Sequence, residues 1–286
     1  MTSPSARPFA ARMFAGQSRA SKTRTSKART SQEPISVSAT RRGVVLAGTI
    51  GASLATAFTP FPAAAREASA ADLQTVVYVG MTIDGFLARP DGALDFLPTP
   101  SDPNEDFGFA EFLASVDVVV MGRKTFDQVA AFVNDDVPWP YAAKPVYVVS
   151  RTMRQEDIPP ETLAAARASD ENKETKISDS AASPAETLRA VARETRKRKG
   201  SRPLRAYVDG GSIVRALLEE DLVDEMVLTT VPVLIGRGAP LFGFDARTNT
   251  NGASKNVSED LWWDVAASTR YENDGLVKTR YVRRRR

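Results

Sequence analysis

The sequence predicts an α/β fold: a mostly parallel central sheet with helices on both faces, finished by an antiparallel hairpin at its C-terminal end. Short Val-rich runs recur at 75–81, 118–121, 146–149, 204–208 and 226–235. Continuous apolar runs of this length fit strands buried on both faces rather than strands with one wet face. Helical patterns lie between them. Two long runs at 262–271 and 276–282 flank Asn273, Asp274 and Gly275, a strong hairpin turn.

In chain order, the first strand at 75–81 is followed by a helical pattern at 109–115, the strand at 118–121 and a second helix at 125–132. The strand at 146–149 leads into residues 156–182, which are polar and weakly periodic and read as loop. A third helix is well marked. Ser183, Pro184 and Glu186 form a capping box with proline at the first helical position, and the helix runs to the basic stretch 196–199 before Gly200. After the strand at 204–208, Ser212 reads as the cap of a fourth helix with Ile213, Val214, Leu217 and Leu218 at helical spacing. Residues 71–286 read as one domain, and the arginines 283–286 as a solvated tail.

Composition narrows the chemistry. The chain has 286 residues, and its 42% hydrophobic share suffices for a buried core. It contains no Cys and no His, which removes disulfides, thiolate nucleophiles, imidazole bases, the usual zinc sites and any Ser/His/Asp triad. No metal is expected. Carboxylates, hydroxyls, amines and a borrowed cofactor remain.

The net charge of +3 is unevenly spread. Of 38 Lys and Arg and 35 acids, residues 1–71 hold 10 and 2, so residues 72–286 hold 28 against 33. The domain is net acidic and its basic runs lack interleaved aromatics, which argues against nucleic-acid binding.

Residues 1–42 carry 13 Ser and Thr, nine Lys and Arg and one acid, a transit-peptide composition. Arg41 and Arg42 then precede sixteen uncharged residues, 43–58, and small-residue runs at 63–65 and 68–71, which is the layout of a secretory signal. The segment 1–70 therefore reads as a bipartite targeting presequence with a twin-arginine-like signal. It resembles the import route into a chloroplast and on to the thylakoid lumen. Sixteen residues fall short of the roughly 20 a spanning helix needs, so no stable membrane insertion is expected after processing.

Three strand-to-helix turns offer anion-binding groups. Helix N-termini at the carboxyl ends of buried strands present free N–H groups to phosphate. Gly122, Arg123, Lys124 and Thr125 follow the strand at 118–121, and Ser150, Arg151 and Thr152 follow the strand at 146–149. Asp209, Gly210, Gly211 and Ser212 follow the strand at 204–208. Neither GxGxxG nor GxxxxGK[ST] is present, so a standard dinucleotide or P-loop reading does not apply.

The motifs VVVMGRKTFD (118–127), YVVSRT (147–152), YVDGGS (207–212) and VDEMVLTTVPVLIGRGAPLF (223–242), in this order, resemble the dihydrofolate reductase-like superfamily. They are most similar to the reductase half of the bacterial riboflavin deaminase-reductase and its stand-alone relatives. The opening TIDGFLARPDG (82–92) resembles the corresponding first strand and loop. The resemblance implies a three-layer fold and an NADPH-dependent reductase acting on a small heterocyclic or carbonyl/imine substrate. Gly122, Arg123, Lys124, Thr125, Gly210, Gly211 and Ser212 would hold the pyrophosphate, and Ser150, Arg151 and Thr152 with Arg123 the adenosine-ribose phosphate. A homodimer is common in the riboflavin branch.

Hydride transfer also needs a proton, and without His or Cys it must come from Asp, Glu, Tyr, Lys or water. Asp84, just after the first strand, and Asp106, at the start of the helix beside the pocket, are the expected donors. The stretch 95–109, DFLPTPSDPNEDFGF, lacks the tryptophan of folate-reducing enzymes, so folate does not follow from the resemblance. The other reading is a catalytically silent nucleotide-binding or interaction protein that retains the fold.

Overall fold

The computed structural model describes residues 73–98, 100–102, 105–134, 137–142, 144–169, 177–199, 203–243 and 260–285; the targeting presequence expected at 1–70 lies outside them. The chain runs β1 (Leu73–Thr82), β2 (Phe86–Ala88), α1 (Phe109–Ser115), β3 (Val118–Gly122), α2 (Arg123–Asn134), β4 (Val146–Val149), α3 (Pro160–Ala168) and β5 (Ile177–Ser180). It continues through α4 (Pro184–Lys199), β6 (Leu204–Asp209), α5 (Gly211–Glu219), β7 (Glu225–Val231), β8 (Ala239–Pro240), β9 (Trp262–Tyr271) and β10 (Leu276–Arg284).

Eight strands form the main sheet in the order β5-β4-β3-β6-β1-β7-β10-β9. The first six pair in parallel, and β10 then pairs antiparallel with both β7 and β9. This is the expected mostly parallel sheet with an antiparallel C-terminal hairpin.

Alternation along each strand feeds two cores. Val77, Val79, Val118 and Val120 face α4 and α5, where they meet Leu188, Val191, Ile213 and Leu217. Val76, Tyr78, Val119 and Met121 face α1, α2 and α3, and pack with Phe112, Phe126, Val129 and Ala166. The strands read as unbroken valine runs because both of their faces are covered. Three layers result.

The capping box of α4 forms as read. The Ser183 amide donates to Glu186 Oε2 at 3.0 Å and the Glu186 amide to Ser183 Oγ at 3.3 Å.

Four local readings are corrected. The segment read as loop contains α3 and β5. Helix α3 buries only Thr162 and Ala166, and β5 contributes a single large apolar residue, Ile177, at the sheet edge, so neither leaves a hydrophobic period. The fourth helix begins at Gly211 behind Gly210, with no side-chain cap, so Ser212 already lies inside the first turn. Strand β7 stops at Val231 because Pro232 has no N–H to continue the ladder. The arginine tail is tied down: Arg283 Nε lies 2.6 Å from Asp221 and an Arg285 guanidinium nitrogen 2.7 Å from Asp224.

At the amino edge of the sheet, Glu225 is fully buried between Arg280 at 2.8 Å and Arg205 at 3.5 Å. Among the described residues no helix is long and apolar enough to cross a membrane, and no group of acids could hold a metal.

Candidate functional site

A cavity of about 1540 Å³ opens along the carboxyl edge of the parallel strands. All three turns singled out in the sequence reach it: Gly122, Arg123, Lys124 and Thr125 after β3, Ser150 and Arg151 after β4, and Gly210, Gly211 and Ser212 after β6. Parallel strands place their carboxyl ends on one edge, so turns far apart in sequence converge there. A fourth turn, residues 181–184 at the start of α4, lines the same cavity beyond β4.

The turn after β6 admits no side chain. Gly210 has φ +97°, and a Cβ there would sit 2.7 Å from Thr125 Oγ1. A Cβ on Gly211 would lie 2.5 Å from the Pro240 carbonyl oxygen. The bare backbone therefore brings the α5 N-terminus against the α2 N-terminus, and both helix starts line one cavity. The chemistry of the lining suits a pyrophosphate: Arg123, Lys124, Arg151 and Arg215 line the same cavity as the two helix starts.

Of the cations, Arg123 is braced by Asp127 at 2.6 Å, one helical turn on, while Lys124 and Arg151 stand exposed at the rim. Ser150 Oγ accepts from the amides of Thr152 at 3.3 Å and Met153 at 3.0 Å, which curls the chain so that Ser150 and Arg151 line the cavity and Thr152 does not.

The two carboxylates expected to donate a proton are placed elsewhere. Neither Asp84 nor Asp106 lines the cavity. Asp84 accepts from Thr82 Oγ1 at 2.5 Å and from the amides of Ile235 at 3.1 Å and Gly236 at 2.7 Å. These bonds, that from Thr82 above all, hold its carboxyl below the ordinary value, so it stays an anion that shapes the 233–236 turn. Asp106 accepts from the Gly108 and Ala110 amides at 2.8 Å each and caps α1.

Sequence reasoning named Asp209 only as the start of the third turn and gave it no catalytic role. It is 9% exposed and lines the cavity at the end of β6. Burial pushes its carboxyl up to about 6, although hydrogen bonds from the Gly210 amide at 2.7 Å and Tyr207 Oη at 3.1 Å pull the other way. The signal was in YVDGGS: strand alternation puts Tyr207 and Asp209 on one face, at the carboxyl end of the strand where the glycine turn begins. Arg215 was missed as well. It lies one turn beyond Gly211 on α5, lines the cavity, and donates to the Pro240 carbonyl.

The model of the RibD C-terminal domain matches residues 75–274. The chain belongs to the RibD C-terminal domain family. This bears out the resemblance to the riboflavin reductase half and, with it, a reductase-type fold. Among curated relatives, the uncharacterised protein YwjB of Bacillus subtilis is 30% identical over 170 residues, covering 59% of this chain and 82% of that protein. A solved structure from Shewanella sp. PV-4, provisionally assigned to riboflavin biosynthesis, is similar with 32% identity and a TM-score of 0.55, covering 74% of this chain and 99% of that one. RibD of Acinetobacter baumannii shares the fold at 15% identity and a TM-score of 0.51, covering 75% of this chain and 58% of that one.

Proposed function

We propose that this protein is an NADPH-dependent reductase that transfers hydride to a small heterocyclic or carbonyl/imine substrate. The observation that carries the reading is the convergence of the β3, β4 and β6 turns on one cavity whose floor is a buried, protonatable acid. The family membership supports it.

Gly122, Thr125, Gly211 and Ser212 would hold the pyrophosphate with their backbone and hydroxyl donors, Gly210, whose amide serves Asp209, would let the turn close beside them, and Arg215 lies beside the same turn. Ser150, Arg151, Lys124 and Arg123 would hold the ribose phosphate; Arg is suited to a phosphate monoester because its planar fork matches two oxygens at once. When bound, the nicotinamide supplies a hydride, and the protein's part is orientation and a proton.

The proton is assigned to Asp209. A carboxyl pushed up to about 6 is an acid strong enough to donate near neutral pH and is still partly protonated there. Tyr207 Oη, buried between the Tyr78 carbonyl and Asp209, holds the carboxyl in place. Tyr78, Phe109 and Leu94 line the same cavity as the acid.

Oxidation of NADPH by the full chain, followed by absorbance against pteridine, pyrimidine and quinone-like acceptors, tests the proposal. Turnover with at least one acceptor supports it, and tight NADPH binding without turnover on any of them favours the silent binder. The presequence reading makes the chloroplast, with the thylakoid lumen as destination, the proposed location; a fluorescent fusion of the full chain that stays in the cytosol would refute it.

A further inference from the structure

The cations that line the cavity differ in what already meets them. Arg123 faces Asp127 at 2.6 Å and Arg89 faces Asp95 at 2.5 Å, while Lys124 and Arg151 are exposed. Arg215 is half-buried, and among the described residues no carboxylate forms an ion pair with it. Burial works against its charge, and Glu219, one turn on, offsets part of that from a distance.

The glycine turn fixes where this charge sits. Arg215 Nη1 donates to the Pro240 carbonyl and lies 3.0 Å from where a Gly211 Cβ would be, and Thr125 Oγ1 lies 2.7 Å from where a Gly210 Cβ would be. The guanidinium and the α2 hydroxyl thus lie against adjacent residues of one turn. A guanidinium carries five N–H donors, and Pro240 takes one, so the others are left for a ligand. The turn carrying Ser150 and Arg151 is elsewhere. Strand β3 separates β4 from β6, so about 10 Å, two strand spacings, lies between the ends of those strands. Turns that far apart suit two anionic groups rather than one.

We propose that Arg215 binds the pyrophosphate of the nicotinamide cofactor, the group that NADPH and NADH share, and holds it against the Gly210–Gly211 turn. The inference rests on the reductase reading. A planar guanidinium meets two phosphate oxygens at once, and a half-buried one is screened less by salt than the exposed Lys124 and Arg151. Thr125, in the first turn of α2, and Ser212, in the first turn of α5, bring hydroxyls to the same cavity. The two arginines then divide the cofactor between them. Arg215 sets how tightly either form binds, and Arg151 sets the preference for the form with the extra phosphate.

The test titrates the full-length protein with NADPH, NADH, ADP-ribose and 2′-AMP, the last of which carries the ribose phosphate without a pyrophosphate. Arg215→Gln removes the charge and keeps a side-chain N–H donor. It is expected to weaken NADPH, NADH and ADP-ribose by one common factor of about tenfold or more, to leave 2′-AMP unchanged, and to flatten the salt dependence of NADH binding. Arg215→Lys, which restores the charge, should recover most of the loss. Unchanged affinity for both cofactors in Arg215→Gln, a loss confined to NADPH, or a loss seen only in the acceptor KM overturns the inference and leaves the reductase reading standing. Failure of the unaltered protein to bind NADPH defeats the reductase reading instead. A second measurement needs no variant. Phenylglyoxal modification of Arg215 in the unaltered protein, read by mass spectrometry of its peptide, should be blocked by saturating NADPH. Modification at the unprotected rate overturns the inference even where the glutamine variant does not fold.

Discussion

Tyr207 Oη lies 3.1 Å from Asp209 Oδ2, and the two residues share one face of β6 because they are two apart on a strand. The phenol is itself buried, which raises its own proton affinity well above the ordinary tyrosine value, so it remains a neutral donor across the working pH range. The acid beneath the cavity therefore accepts from two partners that never ionise, the Gly210 amide on one oxygen and the Tyr207 phenol on the other.

Asp209→Asn should remove the proton and keep the shape. Hydride transfer in the unaltered protein is expected to fall as pH rises through about 6, where the donor loses its proton. In the variant the rate should be low, by roughly 10²-fold or more, and flat over the same range. Pre-steady-state NADPH oxidation against pH measures both.

The same group sets a stability trend. Its folded value of about 6 stands above the ordinary 3.8, so the folded state holds a proton that the unfolded chain has released between those values. Unfolding free energy should thus decline with rising pH from about 4 to 6 by on the order of 3 kcal/mol from this residue, and level off above. Asp209→Asn should lose that decline, and denaturant melts at pH 4, 5, 6 and 7, spanning roughly that window, show it.

The glycine turn predicts a linked loss. Gly210→Ala must place a Cβ at φ +97° and 2.7 Å from Thr125 Oγ1. The protein should lose on the order of 2 kcal/mol of stability and bind NADPH more weakly, because relief of the clash pushes α2 and α5 apart. Two residues on, Ser212→Ala removes a hydroxyl without strain and should leave stability unchanged.

Arg151→Ala should reduce the preference for NADPH over NADH by about 1.5 to 3 kcal/mol, the range for a hydrogen bond to a charged group, with NADH affinity nearly untouched. Parallel fluorescence titrations of the two cofactors report the ratio.

Glu225→Ala separates fold from site. Glu225 sits at the amino edge of β7, away from the cavity, between Arg280 at 2.8 Å and Arg205 at 3.5 Å, and Arg205 Nε already has no hydrogen-bond partner among the described residues. Its removal leaves two arginines facing each other and should cost about 3 kcal/mol in a denaturant melt, with NADPH affinity unchanged below the transition.

What was legible in the sequence follows from how each element is stabilised. The central strands are written as valine runs because both faces are buried, and α4 announces itself through Ser183, Pro184 and Glu186, which cap it in the folded chain. Helix α3 and strand β5 were illegible because alanine, threonine and a lone isoleucine suffice at the sheet's margin. The three turns that reach the cavity could be singled out because glycine and arginine after a strand have a local chemical meaning. The acid could not be read in the same way. Asp84 and Asp106 look like pocket residues by position, yet their oxygens are spent on nearby amides, and only packing reveals that Asp209 is buried, raised in proton affinity and open to the cavity.

The central claim is that these turns grip a phosphorylated nicotinamide carrier, and calorimetric titration of the full-length chain with NADPH and NADH tests it most directly. The account predicts saturable binding of NADPH, with NADH weaker by roughly tenfold or more. No heat of binding for NADPH at millimolar concentration, or equal affinity for the two, would contradict it.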